Sequence, residues 1–345
     1  MAPFILCNTP SYHVGLHYIP SLYAGLSHVT LCHLSNSNTD TPPSCILIKR
    51  LGVHRPSHPR LRGIMGAPSP LVNHRVRKPR KISVSMGDSL ALKDKGDLRV
   101  FENGNDLAAS LAEYVAGLSE SAIKERGAFS VLLSGGSLIN ALRKLTETPY
   151  LNTIDWGRWH VLWADERVVA KDHPDSNYKL AYDNFLCKVP VVPGRVYSLN
   201  DSLSAEAAAE DYDTGLRQLV KTGVVDMSKN GDFPKFDLIL LGMGPDGHIA
   251  SLFPGHPLLN EMEKWITFIT DSPKPPPGRI TVTLPVINSA ANVAVVATGA
   301  GKAETLKRVL GGEQHDELLP VQMVSPADGK LTWFTDKEAA AKIIS

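Results

Sequence analysis

With 36 Lys or Arg against 35 Asp or Glu, the 345-residue chain is nearly neutral as a whole and ordinary in composition for a soluble globular protein. The balance conceals a segregation. Residues 1–86 hold ten of the basic residues and a single acidic one, Asp40, which leaves 26 basic and 34 acidic residues in 87–345. An acidic body repels phosphate backbones, so the basic run Arg75, Arg77, Lys78, Arg80 and Lys81, which lacks interleaved aromatics, implies no nucleic-acid partner.

In chain order, residues 1–86 come first: rich in Ser, Pro and His, and broken by Pro too often to build a core. Their apolar runs, 3–7 and 22–26, are too short for a secretory signal or for a span of roughly 20 apolar residues, so no membrane insertion is expected. The composition is that of an organelle transit peptide whose partner is the import machinery. A Met1-Ala2 start without an amphipathic basic helix favours a plastid over a mitochondrial address, and the terminal Lys342-Ile343-Ile344-Ser345 is not a peroxisomal signal. Residues 87–345 are expected to form one domain. Cys7, Cys32 and Cys45 fall in the leader, so Cys187 alone remains in the body, where neither a disulfide framework nor a cysteine zinc site can be built. A reducing compartment follows, with Cys187 as a small buried apolar residue.

The body alternates helical periodicity with short Val/Ile/Leu-rich runs, the pattern of βαβ units around a mainly parallel sheet in an α/β fold. Residues 108–116 read as a helix. Strands are predicted at 128–133, 159–164, 236–241 and 293–298, with 280–284 as a further candidate beyond a Pro-rich turn at 272–278. Each of the four main strands runs into a polar or Gly-rich segment, so four loops are expected to meet at the carboxyl edge of the sheet, where open α/β sheets bind ligands.

The first loop, Ser134-Gly135-Gly136-Ser137, opens a helix spaced by Leu138, Leu142 and Leu145. Free N–H groups at such a turn suit a phosphate, although a tight turn capped by Ser137 would give the same letters. The second, Asp165-Glu166-Arg167, offers the Arg167 guanidinium to a phosphate or an oxyanion, held by Asp165 or Glu166; a salt-bridged rim is the plain alternative. Further on, Asn177 either positions substrate or caps a helix over 179–186. The third loop, Gly242-Met243-Gly244-Pro245-Asp246-Gly247-His248, delivers a histidine for proton transfer, with Asp246 to orient the ring or a water. No His-x-x-x-His pair or cysteine cluster accompanies it, so no metal and no cofactor are expected. The fourth, Gly299-Ala300-Gly301-Lys302, places a lysine near a helix start, where a cation is unfavourable unless an anion is bound.

In this order the segments 134–137, 163–167, 176–178, 240–255, 279–288 and 299–302 resemble the 6-phosphogluconolactonase family, within a wider group that includes glucosamine-6-phosphate deaminases. The resemblance implies a modified Rossmann-like three-layer α/β/α fold. It implies hydrolysis of 6-phospho-D-glucono-1,5-lactone to 6-phospho-D-gluconate in the oxidative pentose phosphate pathway, the ligand being a small sugar-phosphate lactone. The catalytic set would be His248, Asp246 and Arg167; Gly135, Gly136, Ser137, Asn177, Gly244, Arg279 and Lys302 would hold substrate. Arg279 has a second reading, as the partner of a carboxylate at a strand start. Deaminases are the rival. Where they continue Ile-Ala-Phe-Asn-Glu-Pro, this chain has Ile249-Ala250-Ser251-Leu252-Phe253-Pro254, and where they have Asp-Glu-Tyr it has Asp165-Glu166-Arg167. Phenylalanine cannot transfer a proton, which favours the lactonase branch. A non-catalytic sugar-phosphate sensor would need the cations but not His248. No Gly-x-Ser-x-Gly elbow supports Ser134, Ser137 or Ser251 as a nucleophile.

Overall fold

Short apolar runs that cannot leave either face in water must be covered on both, and that requirement builds this domain. A computed structural model describes residues 89–92, 95–311 and 316–344. Its strands are β1 (Ser89–Leu92), β2 (Gly96–Phe101), β3 (Phe129–Leu133), β4 (Trp159–Trp163), β5 (Asp165–Arg167), β6 (Asp226–Met227), β7 (Pro234–Lys235), β8 (Leu238–Gly242), β9 (Ile266–Ile269), β10 (Arg279–Val282), β11 (Asn292–Ala297) and β12 (Lys330–Asp336). The main helices are α1 (Gly104–Arg126), α2 (Ser137–Ala141), α3 (Tyr150–Thr153), α4 (Asn177–Asn184), α5 (Ala205–Lys221), α6 (Leu284–Ser289), α7 (Ala303–Leu310) and α8 (Lys337–Ala340).

Seven strands form the central sheet in the order β1-β2-β12-β11-β8-β3-β4; β1 is antiparallel at the edge and the other six are parallel. Alternate residues divide between two cores. Leu132, Ile239, Leu241, Val293, Val295 and Trp333 pack with Tyr212 and Leu216 of α5, Val286 of α6 and Leu306 of α7. Val131, Leu133, Leu238, Leu240, Val296 and Phe334 pack with Leu107, Leu111 and Val115 of α1 and Leu138 of α2. Helices on both faces of one sheet make the three layers. No helix among the described residues is long and apolar enough to cross a membrane.

Several boundaries differ from the sequence reading. Helix α1 runs well past 108–116 because its caps lie further out: the Asn103 side chain accepts the N–H groups of Asn105 and Asp106, and Gly127 ends the helix at φ 77°. Strand β8 begins at Leu238 rather than at 236, since the Asp237 carboxylate takes the Ser130 N–H at 2.8 Å, a bond that a ladder would otherwise supply. The helix after Ser137 tightens into a 3-10 turn at Leu142–Thr146. The candidate strand at 280–284 is Arg279–Val282, and it lies outside the parallel sheet. It joins a three-stranded antiparallel sheet, β5-β10-β9, with Arg279 opposite Arg167 and Thr281 opposite Asp165. Cys187 is exposed rather than buried, because the neighbouring Leu186 takes the inward position in its turn. The expected transit peptide at 1–86, with Cys7, Cys32 and Cys45, lies outside the described residues.

Ala164 alone separates β4 from β5. Its N–H donates to Leu133 of the large sheet and its carbonyl accepts from Val282 of the small one. The small sheet is thereby pinned at the carboxyl edge, where the large sheet's loops emerge.

Candidate active site

At the end of β8 the chain turns sharply. Gly247 N–H donates to the Gly244 carbonyl and Gly244 N–H to the His248 carbonyl, with Gly247 at φ +83°. A Cβ on Gly244 would stand 2.0 Å from His248 Nδ1 and 2.4 Å from Asp246 Oδ1, so ring and carboxylate lie directly on its Cα. The two side chains meet at 2.5 Å, Nδ1 to Oδ1. With Nδ1–H given to the carboxylate, the lone pair of the ring is on Nε2. The half-buried ring rests on Phe253, their centroids 4.9 Å apart. Burial lowers the imidazole below its ordinary value, Asp246 works against that shift, and Lys274 adds to it. Burial works to raise Asp246, but the bond and charge of His248, and then Lys274, outweigh it and hold the carboxyl at about 2.

The β5 residues serve the site from below. Glu166, buried, accepts the N–H groups of Arg167, Asn177 and Tyr178, each at 2.7 Å, and so anchors the start of α4. Burial still pushes its carboxyl above the ordinary range. Asp165 accepts from the Ser251 hydroxyl at 2.7 Å. Neither acid grips Arg167, contrary to the expectation from sequence; both are occupied, and Arg167 donates to the Asp175 carbonyl at 2.7 Å, leaving its buried Nε without a partner. The cap of α4 is Ser176, while Asn177, one residue inside, donates to the Asp165 carbonyl at 2.9 Å. A Cβ at Gly135 would lie 1.9 Å from Asn177 Oδ1, so the absence of a side chain at Gly135 lets Asn177 approach. Gly136, at φ 72°, caps α2, and Ser137 is its first residue rather than its cap. Both are exposed at the loop, and the Ser134 hydroxyl beneath them is buried without a partner.

Arg279 is buried and three of its donors are taken by carbonyls. Nε donates to the Pro276 carbonyl at 3.0 Å, and Nη2 to the carbonyls of Lys274 at 2.8 Å and Pro275 at 3.1 Å. Nη1 faces Ser251 Oγ at 3.4 Å and Asp165 at 4.0 Å. Of its two sequence readings, the geometry matches the pairing with a carboxylate at a strand start. Lys302 has no hydrogen-bonding or ion-pair partner among the described residues, and burial, then Lys274, lowers its ammonium. The Pro245 carbonyl accepts from Thr305 of α7, which ties the fourth loop to the third. The four loops therefore meet, as their places in the sequence imply.

Against known proteins, the family described as glucosamine-6-phosphate isomerases/6-phosphogluconolactonase matches residues 102–333. The chain belongs to this family. It is 61% identical over 248 residues to a probable 6-phosphogluconolactonase 4, chloroplastic, of Oryza sativa subsp. japonica, covering 72% of this chain and 76% of the relative. It is 53% identical over 264 residues to 6-phosphogluconolactonase 3, chloroplastic, of Arabidopsis thaliana, covering 76% and 80%. Among solved structures, 6-phosphogluconolactonase from Trypanosoma cruzi superposes with a TM-score of 0.62 at 26% identity, covering 74% of this chain and 99% of that one.

Within this isomerase/lactonase family, sequence reasoning missed Lys274. Its Nζ lies 3.1 Å from Asp246 and 3.0 Å from His248 Nδ1. The only local signal was a single cation inside a Pro-rich turn. Among the described residues, no group of three His, Cys, Asp or Glu is arranged to hold a metal ion.

Proposed function

We propose that this chain hydrolyses 6-phospho-D-glucono-1,5-lactone to 6-phospho-D-gluconate, without metal or cofactor, as a plastid enzyme of the oxidative pentose phosphate pathway. The observation that carries the reading is the Asp246–His248 pair at 2.5 Å, its Nε2 free, beside the cations Lys274 and Lys302. A lactone is an activated ester, so it requires a positioned water, a base and a stabilised oxyanion. His248 Nε2 takes a proton from water as the water oxygen bonds to the lactone carbonyl carbon. The tetrahedral oxyanion then collapses, the bond to the ring oxygen breaks, and His248 returns the proton to that oxygen. Asp246 fixes the tautomer throughout. Lys302, Arg167 and the N–H groups of Gly136 and Ser137 serve the two negative charges, the phosphate and the oxyanion. Gly135, Asn177 and Gly244 shape the loops, and Arg279 supports the site from beneath rather than binding phosphate.

Identity to relatives named chloroplastic supports the plastid address, with residues 1–86 as the leader read by the import machinery and 87–345 as the catalytic domain.

The test is hydrolysis of freshly generated lactone by the full-length protein with EDTA present and the spontaneous rate subtracted. Acceleration that EDTA leaves intact, and that His248→Ala reduces by about a hundredfold or more, is expected. Ammonia release from glucosamine 6-phosphate in place of lactone hydrolysis would move the chain to the deaminase side of its family. Tight binding of 6-phosphogluconate without turnover would make it a sensor.

A further inference from the structure

Proline has no N–H, so the carbonyls of a proline run have few donors nearby to pair with. In the segment 272–278 that shortage is met by Arg279, which donates to three successive carbonyls, those of Lys274, Pro275 and Pro276. Ser272 closes the other side: its hydroxyl donates to the Lys274 carbonyl at 2.8 Å and accepts the Lys274 N–H at 3.2 Å. The Lys274 backbone is therefore fixed at both ends, and the strap is itself buried against Ser251 and Asp165.

From this mount Lys274 Nζ reaches both oxygens of Asp246, at 3.1 Å each, and stands 3.0 Å from His248 Nδ1. An ammonium has only donors. It and the Nδ1–H share one carboxylate, an arrangement that suits a neutral imidazole and sets two positive charges side by side once the ring is protonated. We infer that Lys274 is a positioning residue of this site, an ammonium that the Arg279-strapped loop sets against the Asp246–His248 pair so that the ring stays neutral with Nε2 as its basic atom. The groups facing His248 are Asp246 from its own turn, Lys274 from the Pro-rich loop, Asp165 from β5 and the Phe253 ring, with Lys302 acting on Asp246 and Lys274. Two of the charges are acids that favour the imidazolium. Lys274 opposes them.

The inference rests on His248 being the general base proposed above, and its test does not require turnover. The His248 imidazole is titrated by NMR in the full-length protein, with its signal assigned by its loss in His248→Gln. Lys274→Met is expected to raise the His248 titration by about one pH unit or more, and Lys274→Arg, which keeps the charge, to leave it near the wild-type value. On the lactone, the acid limb of kcat/KM for Lys274→Met moves to higher pH by the same amount, with kcat falling more than KM rises. A His248 titration unmoved by Lys274→Met would overturn the inference, and so would a raised KM with an unmoved limb, which would make Lys274 a ligand of the substrate's anion. If the wild-type protein leaves the lactone untouched, the reading of the reaction fails while the NMR titration still decides the role of Lys274.

Discussion

Gly244 shows how little room the reacting groups have. A methyl group there would occupy the place of the His248 ring and the Asp246 carboxylate, while the strand beneath stays paired. Gly244→Ala is therefore expected to lower turnover by about a hundredfold with a modest loss of melting temperature, read by steady-state kinetics beside a thermal melt. A variant as active as wild type would mean that the ring does not sit on that Cα during the reaction. The direction of the His248 shift gives a pH prediction. Burial, reinforced by Lys274, lowers the imidazole below its ordinary value, so the neutral base persists on the acid side of it, and the acid limb of kcat/KM should fall below pH ~6.5. The histidine itself was legible in the sequence because three glycines, Gly242, Gly244 and Gly247, lead into it; Lys274 was not, because it meets Asp246 from 28 residues away.

At the scale of elements, the sheet divides its labour between its ends. The amino end of β8 is held by Asp237, whose carboxylate accepts from Ser130 N–H and Oγ and from Arg126. Removing it leaves the buried Ser130 N–H unpaired and takes from Arg126 one of its two carboxylate partners, the other being Asp226, far from the carboxyl-edge loops. Asp237→Ala is expected to cost about 2–4 kcal/mol of stability, measured by urea denaturation, with kcat unchanged at a temperature where the variant is folded. A fall in kcat without loss of stability would contradict that division. The same carboxylate explains why β8 starts two residues after the apolar run does: apolar periodicity marks what is buried, whereas the ladder depends on which group takes each N–H. The antiparallel β5-β10-β9 sheet was illegible for a related reason. Its first strand is Asp165-Glu166-Arg167, three charged residues with no strand pattern, which pair because β10 arrives beside them; the two acids are buried because Ser251, Asn177 and Tyr178 satisfy them.

For the whole molecule, the proposed division at residue 86 implies that the leader is dispensable for chemistry. A chain beginning at Gly87 is expected to match the full-length protein in melting temperature and kcat/KM; a large loss of either would place part of residues 1–86 in the working enzyme. What the sequence by itself determined is the parallel sheet and the loops at its carboxyl edge, because unbroken Val/Ile/Leu runs must be buried on both faces and each must leave the core through a polar or glycine-rich turn. Only the tertiary structure decided how those loops are furnished: Asn177 against Gly135, Arg279 on three carbonyls, Lys274 against the histidine, and Cys187 in solvent. Those outcomes depend on distances between residues remote along the chain, and a local pattern of letters carries no information about which remote group fills a hydrogen bond first.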